Sequence, residues 1–414
     1  MKGYDFIITT VQTWDIQIGS TIKNIALEIA KRNRVLFVNS PLDISTRLRT
    51  ACKPVQKPTK EFEQRMAVIK GKRSPIRNIQ PNLWVVDCPF TLLPVSKLPT
   101  PLFEQVNKYN NRLIGQYILQ QAEQLGFKDY ILFIDNDLFR SLHLKQIIAP
   151  KLTVYYRRDY FHATPYWMKH GRRCEERIAH NADVVIANSQ LFVDELKPFN
   201  TNAHYAPTGV DLRLYDATIS RTKPADMQHI HSPIIGYTGA LLESRLNTQM
   251  LYQVAEHMPQ CNFVLVGPED RHFAEHALHS LSNVYFLGSK QVEQLPDYIE
   301  FFDVCINPQI VNAITDGNYP LKIDEYLAMG KPIVATTTHA MRDIFAPYTH
   351  LAANANEFID SLNIALHETT NLKLREARIA FAHTHSWSNS MEKIYVAIED
   401  TLLYQKEKSR ASNI

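Results

Sequence analysis

The stretch DVCINPQIVNAITDGNYPLKIDEYLAMGKPIVAT, residues 303–336, contains a complete strand–loop–helix–strand unit. An apolar strand leads into a polar loop, and Pro320 is predicted at the first helical position, where its missing N–H is not needed. The helix is predicted over 321–328, with Gly330 as its C-terminal cap. A second apolar strand, KPIVAT, follows directly. This order is typical of parallel α/β folds.

The same alternation continues on both sides of this unit, which indicates a doubly wound parallel sheet in each half of the chain. We therefore expect an α/β fold with two Rossmann-like domains. Further strand candidates are DFIITTV (5–11), RVLFVNSP (34–41), LWVVDCP (83–89), YILFID (130–135), LTVYYRRD (152–159), DVVIAN (183–188), PIIGYTG (233–239), NFVLVGP (262–268) and VYFLGS (284–289).

The domain boundary is predicted at YAPTGVD (205–211), where Pro and Gly interrupt the pattern. This gives an N-terminal domain over 1–207 and a C-terminal domain over 208–386. The last helix, about 387–407, is a candidate to pack back on the first domain.

The composition excludes several protein classes. Of the 414 residues, 45% are hydrophobic and 21% charged, which is ordinary for a globular protein. No apolar run is long enough for a transmembrane helix, and the N-terminus does not have the pattern of a signal peptide. Five scattered Cys without metal-ligand spacing fit a reducing compartment, so a cytoplasmic location is predicted.

Charge is distributed unevenly along the chain. Residues 1–207 hold 29 Lys and Arg against 18 Asp and Glu, whereas residues 208–414 hold 16 against 24. The basic half suits an anionic partner. Residues 47–77 alone carry ten Lys and Arg. This segment is either a solvated, mobile loop or a surface that docks on anionic lipid headgroups. Its single aromatic residue, Phe62, argues against nucleic acid.

The helix predicted over 321–328 begins where a parallel strand has ended, so its free N–H groups favour a phosphate. Lys322 in the first turn adds a positive charge, and Glu325 faces the same side three residues later. A carboxylate there can accept both hydroxyls of a ribose, so the pattern indicates a nucleoside diphosphate. The alternative is an exposed ion pair between Lys322 and Glu325.

A second motif, GYTGALLESR (236–245), ends the first strand of the C-terminal domain. Gly239 permits close backbone approach to a ligand. Arg245, predicted at the start of the following helix, can bind two phosphate oxygens at once. Negative charge builds on the diphosphate when a glycosidic bond breaks, and an arginine stabilises it.

With these residues in view, the chain resembles the GT-B type nucleotide-sugar glycosyltransferases, most closely glycosyltransferase family 4 and its relatives. The resemblance covers nearly the whole chain and implies an interdomain cleft. Its most specific part is the run PLKIDEYLAMGKPIVAT. The matching segments are 182–189, 206–211, 236–245, 262–268, 284–299 and 320–336.

The resemblance implies roles for single residues. Glu325 matches the second Glu of the family's E-x7-E signature, which binds the donor ribose, and Arg245 matches the phosphate-binding Arg. The position of the first Glu is Gly317 here, a departure for which Asp316 is a possible substitute. The residues predicted to bind the donor are Gly239, Arg245, Gly267, Lys290, Asn318, Leu321, Lys322 and Glu325.

The resemblance also implies transfer without a metal or other cofactor, with Arg245 and Lys322 in the catalytic role that a cation has elsewhere. It places acceptor binding in the N-terminal domain, where Trp14, Asp15, Gly19 and Arg158 are candidates. Trp14 either stacks on a sugar or belongs to the core.

Asp159 follows a strand directly, where α/β sites form. It is predicted to be catalytic, as a general base if the enzyme inverts configuration. It holds the acceptor if the enzyme retains configuration. A structural salt bridge to Arg157 or Arg158 is the alternative.

The sequence therefore predicts a cytoplasmic glycosyltransferase that moves a sugar from a nucleotide diphosphate sugar to a hydroxyl group. Retention of configuration is favoured, and the charge distribution suggests a lipid-linked or polysaccharide-precursor acceptor at the inner membrane face. A nucleotide-sugar epimerase or a non-catalytic nucleotide- or sugar-binding protein are the alternatives. A dehydrogenase is disfavoured because neither half has a G-x-G-x-x-G motif.

Overall fold

The computed structural model describes residues 1–16, 20–52 and 59–411 and divides the chain into two compact units. The first unit comprises residues 1–206 and 391–414, and the second comprises residues 207–390.

The first unit is built around an eight-stranded sheet with helices between the strands. Its strands are β1 (Asp5–Thr10), β2 (Arg34–Val38), β3 (Ile76–Gln80), β4 (Leu83–Val86), β5 (Ile131–Asp135), β6 (Leu152–Arg157), β7 (Val184–Ala187) and β8 (Ala203–Tyr205). Its helices are α1 (Thr21–Ala30), α2 (Ile44–Cys52), α3 (Lys60–Ile69), α4 (Thr100–Gln124), α5 (Leu144–Ile148), α6 (Gly171–Asn181) and α7 (Gln190–Leu196).

The strand order of this sheet is β3-β4-β2-β1-β5-β6-β7-β8. Strand β3 pairs antiparallel with β4, and the other pairs are parallel. The order reverses between β1 and β5, so the carboxyl ends of these two strands form the switch point at which ligands bind in such sheets. Helix α1 packs with one apolar face, because Ile22, Ile25, Ala26, Ile29 and Ala30 are its buried residues.

The basic segment 47–77 is not a mobile loop over its described residues, so that interpretation is wrong. It contributes to α2, supplies α3 and begins β3. Helix α3 begins at a regular N-cap, where the Thr59 hydroxyl accepts a hydrogen bond from the Phe62 N–H. Its Val68 is buried. The high charge of this segment concealed these elements, because α3 has a single fully buried residue among its described side chains and so shows a weak apolar pattern.

The second unit contains a six-stranded parallel sheet in the order β11-β10-β9-β12-β13-β14. Its strands are β9 (Ile234–Thr238), β10 (Asn262–Val266), β11 (Val284–Gly288), β12 (Val304–Asn307), β13 (Ile333–Thr336) and β14 (His350–Ala352). Its helices are α8 (Thr248–His257), α9 (Arg271–Ala274), α10 (Leu295–Glu300), α11 (Leu321–Ala328), α12 (Ala355–His367) and α13 (Leu372–Thr384).

Both faces of the second sheet are covered by helices. Cys305 of β12 packs in one apolar cluster with Ile323 and Tyr326 of α11, whereas its neighbours Val304 and Ile306 pack in another with residues of α8 and α12. This alternation is the reason that the strands read as continuous apolar runs. The predicted α/β class with two parallel-sheet units is confirmed.

The last helix, α14 (Trp387–Ala411), runs through the division between the units. Its part from residue 391 onward belongs to the first unit, where Tyr395 and Ile398 are buried and Glu392 pairs with Arg32. Within residues 1–16, 20–52 and 59–411, no helix combines the length and hydropathy of a membrane-spanning segment.

Candidate functional site

Helix α11 begins at Leu321, at the end of the loop that follows β12. Pro320 is the N-cap rather than the first helical residue, because its ψ of 81° is not helical. Its carbonyl accepts a hydrogen bond from the Ile323 N–H at 2.9 Å, which tightens the first turn. The loop leaves the carboxyl end of β12, so the polar start of α11 belongs to the edge of the sheet at which α/β ligands bind.

Lys322 turns back from this first turn onto the end of β9. Its ammonium donates to the Tyr237 hydroxyl at 2.5 Å and lies 3.8 Å from the centre of the Tyr237 ring. Within the described residues it forms no salt bridge. Burial, aided by the Arg245 charge and opposed by Glu325, lowers the pKa of Lys322 to about 7.

Two glycines let the backbone approach this ammonium closely. Gly239 has a φ of +136°, and a Cβ on it would lie 2.8 Å from the Lys322 Nζ. A Cβ on Gly267 would lie 1.9 Å from the Gly239 carbonyl oxygen. A side chain at Gly267 would displace the Gly239 backbone, whereas one at Gly239 would be strained by the positive φ and would push the Lys322 ammonium away.

Glu325 lies on the same helix and is half-buried. Burial raises its pKa to about 7, while the Tyr215 hydroxyl and the Lys322 charge act in the opposite direction. The buried Tyr215 in turn has its pKa raised by burial and by the Glu325 charge. A carboxylate and an ammonium therefore lie at one helix start, each held near the midpoint of its titration at neutral pH.

Arg245 is exposed and, among the residues that the structure describes, its guanidinium forms no ion pair. It was predicted at a helix start, but it precedes the N-cap of α8, Asn247, by two residues. The Asn247 side chain accepts from the Met250 N–H, and this bond sets the true helix start. The charge of Arg245 lowers the pKa of both Lys322 and Tyr237, so the three groups share one electrostatic environment.

Several of the other residues predicted for the donor site are already engaged in contacts within the protein. Lys290 pairs with Asp226 at 2.6 Å, beside the Tyr298 ring, so its charge is already neutralised within the protein. Asn318 lies half-buried in the loop before α11, and Leu321 begins that helix and packs on the core. Asp316 accepts from the His339 backbone N–H at 2.9 Å and pairs with its ring at 2.6 Å.

In the first unit, Arg158 and Asp159 follow β6 and join a buried network. The Arg158 guanidinium donates to Asp135 at 2.8 Å and to Asp159 at 2.5 Å. Asp135 is fully buried and also accepts from the Thr10 hydroxyl at 2.6 Å. Thr10 ends β1 and Asp135 ends β5, so this network occupies the switch point of the first sheet. The salt bridge that was the alternative to a catalytic role for Asp159 is present with Arg158, while Arg157 pairs with Glu175 and Glu195 instead.

Trp14 is half-buried, with its ring against Phe37 at a centroid distance of 5.2 Å. The adjacent Asp15 accepts two hydrogen bonds from Arg77, so it is also engaged within the protein. Gly19 lies outside the described residues.

Sequence reasoning missed Tyr237, Tyr215 and Asp135. Tyr237 had a local signal, since it stands two residues before Gly239 on the same strand. Asp135 also ends a predicted strand and could have been found by the rule that located Asp159. Tyr215 had no local signal, because it meets Glu325 only through tertiary folding.

Comparison with known proteins adds a family to this geometry. Residues 232–368 match the family described as "Glycosyl transferases group 1". TuaH of Bacillus subtilis, named as a teichuronic acid biosynthesis glycosyltransferase, is 26% identical over 228 residues. That match covers 52% of this chain and 57% of TuaH, so it spans little more than half of the curated relative.

Two solved structures show the fold. Anabaena HepE in complex with UDP has 15% identity and a TM-score of 0.64, with 97% of this chain and 100% of that chain covered. The E. coli trehalose-6-phosphate structure with bound UDP-2-fluoro glucose has 13% identity and a TM-score of 0.66, with 96% and 99% covered. The chain therefore has the GT-B fold, and residues 232–368 of its second unit are similar to the group 1 glycosyltransferases.

Proposed function

We propose that this protein is a glycosyltransferase that binds a nucleotide diphosphate sugar in its second unit. The observation that carries the proposal is the grouping of Arg245, Lys322 and Glu325 around the glycine-lined end of β9. Arg245 and Lys322 form no ion pair with a carboxylate of the described residues, and two such cations next to a helix start form a site for a diphosphate. Glu325, three residues into the same face, supplies the acceptor for ribose hydroxyls.

Each group has a part in the transfer. The α11 N–H groups and the Lys322 ammonium hold the phosphate attached to the sugar, and Arg245 binds its remaining oxygens. When the glycosidic bond breaks, the leaving diphosphate gains negative charge, and these donors are already oriented toward it. We propose that this arrangement needs no divalent metal, so chelation with EDTA should leave nucleotide binding unchanged.

The nucleotide is proposed to be uridine diphosphate. Support comes from the solved neighbours of the same fold, several of which were determined with UDP or UDP-sugars. The sugar is a hexose or a hexose derivative under this proposal, as in the UDP-glucose complex of HepE.

The acceptor hydroxyl is proposed to contact the carboxyl edge of the first sheet. Arg158 fixes one oxygen of Asp159 and leaves the other for a hydroxyl group. A carboxylate so engaged suits a positioning role better than proton abstraction, which agrees with transfer that retains configuration. The basic charge of residues 1–207 supports a lipid-linked or polysaccharide-precursor acceptor, and we place the enzyme at the inner face of the membrane.

The test is a thermal-shift titration with UDP, GDP and ADP, because a ligand that binds only the folded state stabilises it by mass action. UDP should raise the melting temperature most, and Arg245→Gln or Glu325→Gln should abolish most of that rise. Arg271→Gln is the matched control, since Arg271 is an exposed arginine of the same unit that pairs with Glu275 on the surface.

Activity is then measured as release of UDP from UDP-glucose and related donors with and without a membrane extract as acceptor source. Acceptor-dependent release supports the proposal. Conversion of the donor without any acceptor would identify an epimerase, and binding without turnover would identify a non-catalytic protein. Equal shifts for Arg245→Gln and the unaltered protein would reject the site.

A further inference from the structure

A groove in the first unit lies between α2 and α3 and is separate from the residues discussed so far. Its volume is about 820 Å³, within the range of about 300–1,000 Å³ that is typical of small-molecule sites. Leu48 on its wall is 60% exposed, so an apolar surface is open to a ligand there. Its apolar lining consists of Ile44, Leu48, Phe62, Met66 and Ala67.

Cations surround this apolar floor. Arg47, Lys70 and Lys72 line the groove, whereas Glu63 is the single carboxylate among its lining residues. Within the described part of the chain, Lys70 and Lys72 form no ion pair, and Arg47 has one long hydrogen bond of 3.4 Å to Thr91. The rim therefore carries a surplus of positive charge.

Other basic residues of the same segment are used within the fold. Arg65 donates to the Ser40 carbonyl at 2.9 Å, and Arg77 binds Asp15. Arg65 and Arg77 are therefore structural cations, whereas Arg47, Lys70 and Lys72 face the groove. An apolar floor with a cationic rim is complementary to an amphiphile that has an apolar chain and a phosphate head.

We propose that this groove binds the apolar chain of a lipid phosphate, with the phosphate against Arg47, Lys70 and Lys72. The inference rests on the proposed function, because it identifies this lipid as the carrier of the acceptor saccharide. We commit to a single lipid molecule rather than a patch of bilayer, because the groove volume of about 820 Å³ is that of a site for one small molecule.

The probe is farnesyl diphosphate, which combines an apolar chain with a phosphate head, titrated by calorimetry into the full chain with saturating UDP. UDP occupies the donor site, so the measured heat reports a different site. Farnesol and inorganic diphosphate each lack one half of the recognition. We expect farnesyl diphosphate to bind at least tenfold more tightly than either.

Two sets of variants locate the binding. Leu48→Glu places a charge on the groove floor, and the exposed pair Lys70→Gln and Lys72→Gln removes rim charge with little risk to folding. Each should weaken farnesyl diphosphate binding at least tenfold. Leu102→Glu is the matched control, because Leu102 on α4 is 50% exposed but outside the groove, and it should bind like the unaltered protein.

Equal affinity of the groove variants and the control would overturn the proposal, as would equal affinity for farnesyl diphosphate and inorganic diphosphate. Binding to phosphatidylcholine–phosphatidylglycerol vesicles without binding of farnesyl diphosphate would also overturn it and would assign the cations to a membrane surface. Failure of the proposed function gives a different result: UDP would not bind, while farnesyl diphosphate binding would persist.

Discussion

The carboxyl edges of the two sheets both carry cations, which are ion-paired in the first unit and without an ion pair among the described residues of the second. In the first unit, Arg158 binds both Asp135 and Asp159, so its charge is neutralised within the protein. In the second unit, Arg245 has no ion pair among the described residues, and Lys322 donates only to the neutral Tyr237 hydroxyl. Both edges are expected ligand sites in parallel α/β units.

The difference separates two uses of charge. A buried ion pair is costly to break, because each partner would be left desolvated and alone. An unpaired cation beside a helix start lowers stability in the free protein but provides binding energy when an anion arrives. We therefore expect substitutions in the first network to reduce stability, and substitutions in the second site to reduce ligand binding.

The largest effect is expected for Arg158→Met. This change leaves Asp135 buried without its counter-charge, so the free energy of unfolding should fall by about 3–5 kcal/mol. Urea denaturation measures it. Arg172→Met is the control, because Arg172 is 82% exposed and pairs with Glu176 on the same helix, and its loss should cost less than about 0.5 kcal/mol. Similar values for the two variants would show that the Arg158 network is not structural.

Lys322→Met should reduce ligand binding without reducing stability, in contrast to Arg158→Met. Loss of a charge-assisted bond to phosphate should weaken UDP binding about 100-fold, by roughly 2–3 kcal/mol. The free variant should melt a few degrees higher than the unaltered protein, because a desolvated ammonium is removed. The pKa of Lys322 is lower in the folded than in the unfolded protein, so this gain should be larger at pH 6 than at pH 9. A melting temperature of Lys322→Met below that of the unaltered protein at pH 6 would contradict this account.

Proton uptake when UDP binds is a further test of the Lys322 site. With a pKa of about 7, Lys322 is mostly neutral at pH 8 in the free protein. A bound diphosphate raises that pKa, so UDP binding at pH 8 should take up about one proton, and affinity should fall as the pH rises above 7. Calorimetry in two buffers of different ionisation enthalpy measures the uptake. Lys322→Met should abolish it, and identical heats for the unaltered protein in both buffers would exclude it.

The smallest effect is expected for Tyr215→Phe. The ring keeps its place in the core, but the hydroxyl that lowers the pKa of Glu325 is lost. That pKa should rise, more of the carboxyl is protonated at pH 7, and UDP affinity should fall by about two- to tenfold. Tyr252→Phe is the control, since its hydroxyl bonds Glu256 on the surface of α8. A loss of affinity in the control equal to that of Tyr215→Phe would separate Tyr215 from the site.

Sequence patterns predicted the parts of this molecule that depend on local chemistry. The bounds of α11 follow from Pro320 and Gly330, and Lys322 and Glu325 share a face because of helical spacing. Groups that meet across the fold were not predictable in this way. Tyr215 reaches Glu325 from more than 100 positions earlier in the chain, and Asp135 reaches Arg158 from the neighbouring strand.

The mobile-loop prediction for the basic segment 47–77 was wrong for another reason. Ten cations in 47–77 were read as one feature, although some of them are structural. Only pairing shows that Arg65 and Arg77 are used within the fold, while Lys70 and Lys72 remain on the rim of the groove. Composition gives the number of charges but not their partners.

A crystal structure of the full chain with UDP tests the central claim most directly. Our account predicts diphosphate oxygens within hydrogen-bond distance of the Arg245 guanidinium and the Lys322 ammonium, at the start of α11, with the Glu325 carboxylate on the ribose hydroxyls. A diphosphate bound away from these three side chains would contradict it.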